Sequence, residues 1–147
     1  MYKKTLHAGW GDMDFNSHMR NTAYLDKSAD IRMMFFTEHG FPMSEFVRLK
    51  IGPVIQKDEI EYFREVNLLE ELTITFETAG LSEDGSRWLI RNEFLRSDSK
   101  LAARVTSTGG WLDLSLGKLV PAPVGLLEAL RELPRMSDFQ QLLTTIK

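Results

Sequence analysis

Residue types that act on carbonyl groups cluster in one short segment, GDMDFNSHMRN from Gly11 to Asn21. Asp12 and Asp14 bring carboxylates and His18 brings an imidazole, and these groups serve proteins as nucleophiles and as general acids or bases. The segment is also dense in Gly, Asp, Asn and Ser, which favour turns because their side chains bond nearby backbone groups. A structured loop is therefore predicted, and ordering of that loop is the alternative role for each candidate.

A long helix is predicted directly after this loop, from about Thr22 to His39, because no Pro or Gly interrupts the run. Gly40 is suited to a left-handed C-terminal cap, and Pro42 follows it. At 100° per residue the apolar residues fill about half the circumference. They fall on two adjoining sides, Tyr24, Ile31 and Phe35 on one and Leu25, Ala29, Met33 and Phe36 on the other. Such a helix has to be wrapped by the rest of the fold.

Strands are predicted on both sides of this helix. A short one lies within residues 2–10, and beyond Pro53 the apolar residues alternate with period two. Three breaks fit antiparallel hairpins, at 67–71, 82–86 and 97–100. A last strand runs from Leu101 to Leu114, where Gly109 and Gly110 indicate a bulge or a close backbone approach. One helix against an antiparallel sheet is the α+β class.

Two short helices are predicted at the C-terminal end, VGLLEALREL after Pro123 and SDFQQLLTTIK after Pro134. The length of 147 residues fits a single domain over 1–147, with a core of about 1–120 and a C-terminal helical segment of about 122–147. Neither a signal peptide nor a membrane-spanning stretch is visible, so a cytoplasmic protein is expected.

Several function classes find no support in the composition. A net charge of −3 argues against a nucleic-acid partner. The chain has no Cys, and its three His residues lack the spacing of metal ligands, so no metal site is predicted. Without a P-loop, a dinucleotide fingerprint or a G-x-S-x-G elbow, no cofactor is implied.

The segment from Trp10 to Tyr24 resembles the signature D-x-D-x-x-x-H-x-x-N-x-x-Y of the 4-hydroxybenzoyl-CoA thioesterase-like hot-dog family. The order of helix and strands follows that family to about residue 133. The resemblance implies a hot-dog fold, in which an antiparallel sheet of about five or six strands wraps around the long helix. It also implies a homodimer joined edge to edge with active sites at the interface, and it leaves open whether dimers pair into tetramers.

The resemblance further implies hydrolysis of acyl-CoA thioesters to free acid and coenzyme A. Asp14 would be the catalytic carboxylate, as a nucleophile or as a general base, and His18 would orient substrate or water. Backbone N–H groups at Asn21 and Thr22 would polarise the carbonyl oxygen, because the first N–H groups of a helix lack intrahelical partners. The Asn21 side chain either caps the helix or touches substrate, and Asp12 is expected to order the loop.

Two positions depart from the usual family pattern, which has Gly where Ser17 stands and often Asn where Arg20 stands. Gly adopts positive φ at little cost whereas Ser does not, so with Ser17 the precise loop conformation is not predicted. Arg20 either meets a coenzyme A phosphate or is solvated.

Further substrate-binding candidates lie outside the loop. They are Tyr24, which closes the motif, and the cations Arg87, Arg91, Arg96, Lys100 and Arg104. Alternating charges on strands usually mark a solvent face, which is the alternative for these cations. Met33, Met34, Phe35, Phe36 and Trp88 are candidates for an acyl channel, although residues of these types are core residues first.

Two rival functions stay open at this point. One is a non-catalytic acyl-CoA sensor on the same fold, which would not need the carboxylate. The other is an enoyl-CoA hydratase or dehydratase, which pairs an Asp with a His for proton transfer. The sequence does not identify the acyl group.

Overall fold

The elements follow the predicted order of strand, long helix and a run of strands. The structure is a computed structural model and describes residues 1–144. The strands are β1 (Tyr2–His7), β2 (Ile51–Tyr62), β3 (Glu71–Ser82), β4 (Arg87–Leu95), β5 (Leu101–Asp113), β6 (Lys118–Val120) and β7 (Arg135–Leu142). The helices are α1 (Asn21–Glu38), α2 (Met43–Leu49) and α3 (Val124–Glu132), and a 3-10 turn spans Trp10–Asp12.

All seven described strands belong to one sheet. Its main path has the order β1-β3-β4-β5-β2, and neighbours on this path are antiparallel. Two strands lie off the path, β6 beside β5 and β7 beside β3, and β7 runs parallel to its neighbour. Strand β2 therefore forms one edge of the sheet over twelve residues. Its outer side pairs with none of the described strands.

Helix α1 packs across the inner face of the sheet through aromatic contacts. Phe35 stacks on Phe76 of β3 with ring centroids 4.6 Å apart, and Tyr24 meets Phe94 of β4 edge-on at 5.2 Å. Burial of each such side chain contributes roughly 1.5–3 kcal/mol. The second apolar side of α1 is only partly covered, at Leu25, Ala29 and Met33. The described chain thus wraps only part of the predicted apolar arc.

The close backbone approach predicted at the paired glycines is confirmed. A Cβ atom on Gly109 would lie 2.4 Å from two ring atoms of Trp88 and 2.4 Å from the carbonyl oxygen of Val54. The register between β2 and β5 also shifts opposite this point, between Ile55 and Lys57. Gly109 therefore lets the Trp88 ring lie against the backbone of two strands.

The C-terminal segment differs from the prediction in one element. Helix α3 confirms the first short helix, but the second helix, predicted after Pro134, is wrong: Arg135–Leu142 is strand β7. Residues 145–147 of that predicted helix lie outside the described residues. The segment forms a strand because the backbone of β3 is free to pair with it, with Leu81 opposite Gln141. The segment 122–147 is thus a helix followed by a strand.

Two details near the middle of the chain were also not predicted. Helix α2 is a short extra helix, and β2 begins at Ile51 rather than beyond Pro53. Lys50, in a left-handed conformation with φ of 54°, ends α2 and turns the chain into β2. Together these elements place a two-turn helix beside the start of the edge strand.

Candidate active site

The loop before α1 folds as a small hairpin. The N–H of Arg20 donates to the carbonyl of Asp12 at 2.8 Å, and Met13 pairs with Met19. The N–H of Asp14 donates to the carbonyl of His18 at 2.7 Å. Asp14 and His18 thus face each other across a tight turn, two residues before the cap of the helix.

The Asp14 carboxylate is part of this turn and is open to solvent. Its Oδ1 accepts the N–H groups of Asn16 at 2.8 Å and His18 at 3.1 Å. The side chain is exposed, and no cation among residues 1–144 forms an ion pair with it. The turn role and the catalytic role of Asp14 are therefore compatible, because the turn fixes the direction of the carboxylate.

Ser17 takes the conformation that a glycine would supply. Its φ is 63°, and its N–H donates to the carbonyl of Asp14 at 3.1 Å. Left-handed backbone in a residue with a Cβ costs roughly 1–2 kcal/mol. The departure from the family pattern therefore leaves the turn formed, at the expense of local strain.

Two further contacts hold the hairpin in place. The N–H of Met19 donates to the carbonyl of Val66 at 2.8 Å, and His18 pairs with Asn67 as an isolated bridge. The segment that links β2 to β3 is thereby fixed against the loop. This contact joins residues almost fifty positions apart, so it could not be predicted from local pattern.

Asp12 ties the loop to helix α1, which confirms its expected ordering role. Its Oδ2 accepts the N–H of Gly9 at 2.8 Å and lies 2.9 Å from Nζ of Lys27. Burial by itself would raise the pKa of Asp12, but the hydrogen bonds from Lys27 and Gly9 and the charges of Lys27 and Arg20 outweigh it and lower the pKa. The carboxylate form is therefore the one that anchors the loop.

The start of α1 has no side-chain cap. The N-cap residue is Arg20, and no side chain bonds to the first N–H groups of the helix. A guanidinium carries donors only, and that of Arg20 donates instead to Thr22 Oγ1 at 2.9 Å and to the carbonyl of Gly11. The capping role considered for Asn21 is wrong, since Asn21 is the first helical residue. The backbone donors of Asn21 and Thr22 stay available.

A cleft of about 290 Å³ adjoins the hairpin. Its lining consists of His18, Met19, Tyr24, Tyr62, Phe63, Arg64 and Glu65. The sequence pattern pointed to His18 and Tyr24 but not to residues 62–65, which lie at and just after the end of β2. Their local pattern indicates only a strand, and their place beside the loop follows from long-range pairing such as that of Met19 with Val66.

Tyr24 forms the buried floor of this cleft. It is 2% exposed, and its ring lies 5.4 Å from that of Tyr62. Burial, followed by the influence of Tyr62 and the charges of Glu70 and Asp14, raises the pKa of Tyr24 to about 12. Its phenol is therefore neutral in the physiological range, and it stands within electrostatic reach of Asp14.

The predicted strand cations lie outside the cleft. Arg87 and Arg91 alternate along β4 with buried core residues, so they occupy the sheet face opposite α1. Arg91 pairs with Asp138 of β7 at 2.8 Å, and Arg104 of β5 pairs with Glu93 at 3.0 Å. Their role towards coenzyme A stays a prediction, and among residues 1–144 Arg64 is the cation that lines the cleft.

Residues 1–144 contain neither a metal-binding cluster nor a membrane-spanning helix. No group of three or more His, Cys, Asp or Glu side chains is placed to hold a metal ion. In the same part of the chain, no helix combines the length and apolar character needed to cross a membrane.

Comparison with known proteins gives one family match. A sequence model of the thioesterase-like superfamily matches residues 8–130, which include the hairpin, the cleft and α1. No curated protein sequence matches the chain.

Several solved structures share the fold. A hypothetical protein of Staphylococcus aureus, solved in complex with CoA, is 17% identical with a TM-score of 0.82, over 99% of this chain and 89% of that one. A 1,4-dihydroxy-2-naphthoyl-CoA thioesterase from Synechocystis is 13% identical with a TM-score of 0.80, over 90% and 96%. A gentisyl-coenzyme A thioesterase is 19% identical with a TM-score of 0.78, over 88% and 99%. The hot-dog arrangement expected from the sequence is confirmed.

Proposed function

Because the chain belongs to the thioesterase-like superfamily, we propose that it hydrolyses acyl-CoA thioesters to a free acid and coenzyme A, with Asp14 as the catalytic carboxylate. One observation carries the proposal. The exposed Asp14 carboxylate is fixed by a turn that leads directly into a helix whose first N–H groups no side chain caps. Thioester hydrolysis needs this pair of features, a nucleophile or base on one side of the carbonyl and fixed donors on the other.

The donors stabilise the charge that develops in the reaction. As an oxygen adds to the carbonyl carbon, the carbonyl oxygen becomes an oxyanion, and the N–H groups of Asn21 and Thr22 replace the missing cap by binding it. Loss of one such donor typically lowers the rate about a hundred- to a thousandfold. Arg20, which is donor-only and cationic, adds favourable charge without occupying these N–H groups.

Two routes use Asp14. As a general base it takes a proton from the attacking water; the tetrahedral oxyanion then collapses, the C–S bond breaks, and the coenzyme A thiolate leaves and takes up a proton. As a nucleophile it forms an acyl–aspartate anhydride with loss of the thiolate, and water then cleaves the anhydride and restores the carboxylate. His18 sits across the turn from Asp14 and orients water or substrate in either route. The reaction uses no cofactor, since coenzyme A enters as part of the substrate.

The phosphates of coenzyme A need cations near the cleft. Arg64 lines the cleft and donates one N–H, from Nη1, to the carbonyl of Leu101 at 2.7 Å, which leaves other donors for an anion. Arg20 stands on the hairpin side of the same region. We assign coenzyme A binding to these two residues before the strand cations, because Arg91 and Arg104 are already paired with carboxylates.

The working form of the enzyme is proposed to be a homodimer. Strand β2 offers a twelve-residue edge without a neighbour among the described strands, and such an edge invites pairing with another strand. Met33, on the partly covered side of α1, lines a groove with Ile51 and Pro53 at the start of this edge, so antiparallel β2–β2 pairing would add to its burial. Tetramer formation and a cytoplasmic location stay predictions.

The first test is thiol release from a panel of acyl-CoAs by wild type and Asp14→Asn. The amide oxygen of Asn still accepts the two turn N–H groups, so the fold should persist while the rate falls roughly a hundred- to ten-thousandfold. Asp26→Asn is the matched control, because Asp26 is an exposed carboxylate of α1, and it should leave the rate unchanged. With no cysteine in the chain, every thiol detected is product.

Two results would overturn the proposal. An undiminished rate in a folded Asp14→Asn protein would remove the role of the carboxylate. Failure of wild type to release thiol from any acyl-CoA would favour a sensor if acyl-CoA still binds, and a hydratase if an enoyl-CoA is hydrated instead.

A further inference from the structure

A polar pocket of about 340 Å³ lies where the end of β3 meets β7 and the last turn of α3. Its lining consists of Leu81, Ser82, Glu83, Arg131, Arg135, Phe139 and Gln141. This set is called the arginine pocket below. Four of these seven residues lie beyond residue 130, where the match to the superfamily model ends. Most of the pocket is therefore built outside the matched region.

The arginine pocket is far from the candidate active site of the same protomer. Ala8, which leads into the active-site hairpin, bonds through its N–H to Glu70, just before β3 begins at Glu71. Ser82, at the other end of β3, lines the pocket. Eleven residues of extended chain span roughly 35 Å at about 3.3 Å per residue. A ligand in this pocket therefore binds away from Asp14 of its own protomer.

An irregularity in β7 builds one wall of the pocket. The pairing advances two residues along β3, from Thr78 to Gly80, while it advances five along β7, from Arg135 to Gln140. The extra residues of β7 leave the ladder, and the ring of Phe139 comes to lie 4.2 Å from Cζ of Arg135. Contact with an aromatic face holds a guanidinium in place without neutralising its charge. Arg135 is thereby fixed as a free cation.

Arg131 brings a second cation to the pocket from α3. Its Nη2 donates to the carbonyl oxygen of Glu83 at 2.7 Å, and this acceptor is neutral. Within residues 1–144, neither Arg131 nor Arg135 forms an ion pair with a carboxylate. A guanidinium has five N–H donors, of which Arg131 uses one and Arg135 none in the same part of the chain. The pocket therefore holds two positioned cations with unused donors.

The nearby carboxylates compensate this charge only in part. Asp84 belongs to the turn between β3 and β4, where its oxygens accept hydrogen bonds from the hydroxyls of Ser82, Ser86 and Thr144. Glu83 is exposed, and among the described residues that line the pocket it is the one anion. The lining thus combines two positive charges with one negative charge and favours an anionic ligand.

We infer that the arginine pocket is a second, non-catalytic site that binds a phosphate dianion, as inorganic phosphate or as a small phosphate monoester. Such a group carries about −1.5 to −2 charges at pH 7 and three acceptor oxygens, which suit two guanidiniums better than the single charge of a carboxylate or a phosphodiester. Guanidiniums bind phosphate oxygens through paired N–H groups. The volume lies near the lower limit of about 300–1,000 Å³ for small-molecule sites, which admits a sugar phosphate or a nucleoside monophosphate.

The first experiment compares ligands that differ only in their phosphate. AMP, cyclic AMP and adenosine are titrated into 15N-labelled protein, and the backbone N–H resonances of residues 81–83 and 131–141 are followed. AMP should shift these resonances, and cyclic AMP, a diester with one charge, should bind about tenfold more weakly or worse. AMP binding should also weaken from about pH 7 to 5, because the second phosphate pKa is about 6. Inorganic phosphate identifies the source: binding weaker than that of AMP indicates a monoester, and equal binding indicates free phosphate.

The second experiment changes the charges of the pocket. Arg131→Gln and Arg135→Gln, both at exposed positions, should each lower the affinity for AMP about tenfold or more. Glu83→Gln removes the opposing charge and should raise the affinity a few-fold. Arg48→Gln is the matched control, because Arg48 is an exposed arginine of α2 outside the pocket, and it should bind AMP as wild type does.

Three results would overturn the inference. They are equal binding of AMP and cyclic AMP, AMP shifts that lie elsewhere in the protein, and wild-type affinity in both arginine variants. The thioester assay tests whether the site is separate, since Arg131→Gln and Arg135→Gln should keep the wild-type kcat and KM for acyl-CoA. A raised KM would assign these arginines to the substrate instead. Failure of the proposed thioesterase function is distinct, because the titration requires no turnover.

Discussion

The ion pair between Asp12 and Lys27 should stabilise the protein measurably, because it ties the active-site loop to α1 from a mostly buried position. The side chains are 22% and 11% exposed, with Oδ2 and Nζ 2.9 Å apart. Exposed pairs typically contribute about 0.2–1 kcal/mol, and breaking a fully buried pair costs about 3–5 kcal/mol. We expect a coupling free energy of about 1–2 kcal/mol between these extremes.

A double-mutant cycle measures this coupling directly. The free energy of unfolding is determined by urea denaturation for wild type, Asp12→Asn, Lys27→Met and the double variant. The same cycle on Glu45 and Arg48 of α2, where the Arg48 side chain is 67% exposed against 11% for Lys27, is the control and should show weaker coupling. Equal coupling in the two cycles would refute the reasoning, since partial burial would then have no effect.

The pH dependence of the same pair gives an independent check. Interactions with Lys27 and the Gly9 N–H lower the pKa of Asp12 despite its burial. A lowered carboxyl pKa means that the stabilisation is present above the unfolded pKa of about 3.9 and is lost as the pH falls through the folded pKa. The stability difference between wild type and Asp12→Asn should therefore be constant from about pH 5 to 8 and shrink below about pH 4. A constant difference down to the lowest pH would contradict this.

Three further outcomes are expected from single substitutions. Gly109→Ala should lower the unfolding free energy by about 2 kcal/mol or more, because its Cβ would meet the Trp88 ring at 2.4 Å; thermal unfolding at an unchanged temperature would contradict this. Arg32→Met should raise stability by about 1–3 kcal/mol in urea denaturation, because the buried guanidinium has an Nη1 without a hydrogen-bond partner among the described residues; a loss of stability would show that the charge is compensated. Tyr24→Phe should keep the wild-type shape of the pH–rate profile up to about pH 10, because the pKa of Tyr24 is raised to about 12; loss of an alkaline limb would assign that limb to this phenol.

Elements with a strong local pattern were predictable from sequence. Helix α1 begins one residue before the predicted start, at Asn21, and its last residue is Glu38, because the uninterrupted run and Gly40 set both ends locally. The central strands follow the period-two alternation, as in β4, where Trp88, Ile90, Asn92 and Phe94 are buried in turn. Helix α2 escaped prediction because seven residues give less than two full helical periods.

Strand β7 shows why a local pattern can mislead. Its partly covered residues Met136, Phe139 and Leu142 recur every third position, a spacing that favours a helix over a half-buried strand. Long-range pairing decided the outcome, because Gly80–Ser82 at the end of β3 pair with Gln140–Leu142. Edge strands are the elements for which such tertiary pairing most readily overrides local preference.

The difference between local pattern and long-range pairing also explains which parts of the candidate site could be predicted from the sequence. The direction of the Asp14 carboxylate depends on contacts within residues 12–20, all of them close in sequence, so a short motif carries enough information to identify it. The cleft wall at residues 62–65 is joined to this loop only through long-range pairing, as in the bond from Met19 to Val66. A short motif therefore identifies the carboxylate more readily than the cleft beside it, whose walls come from residues about forty positions apart in the chain.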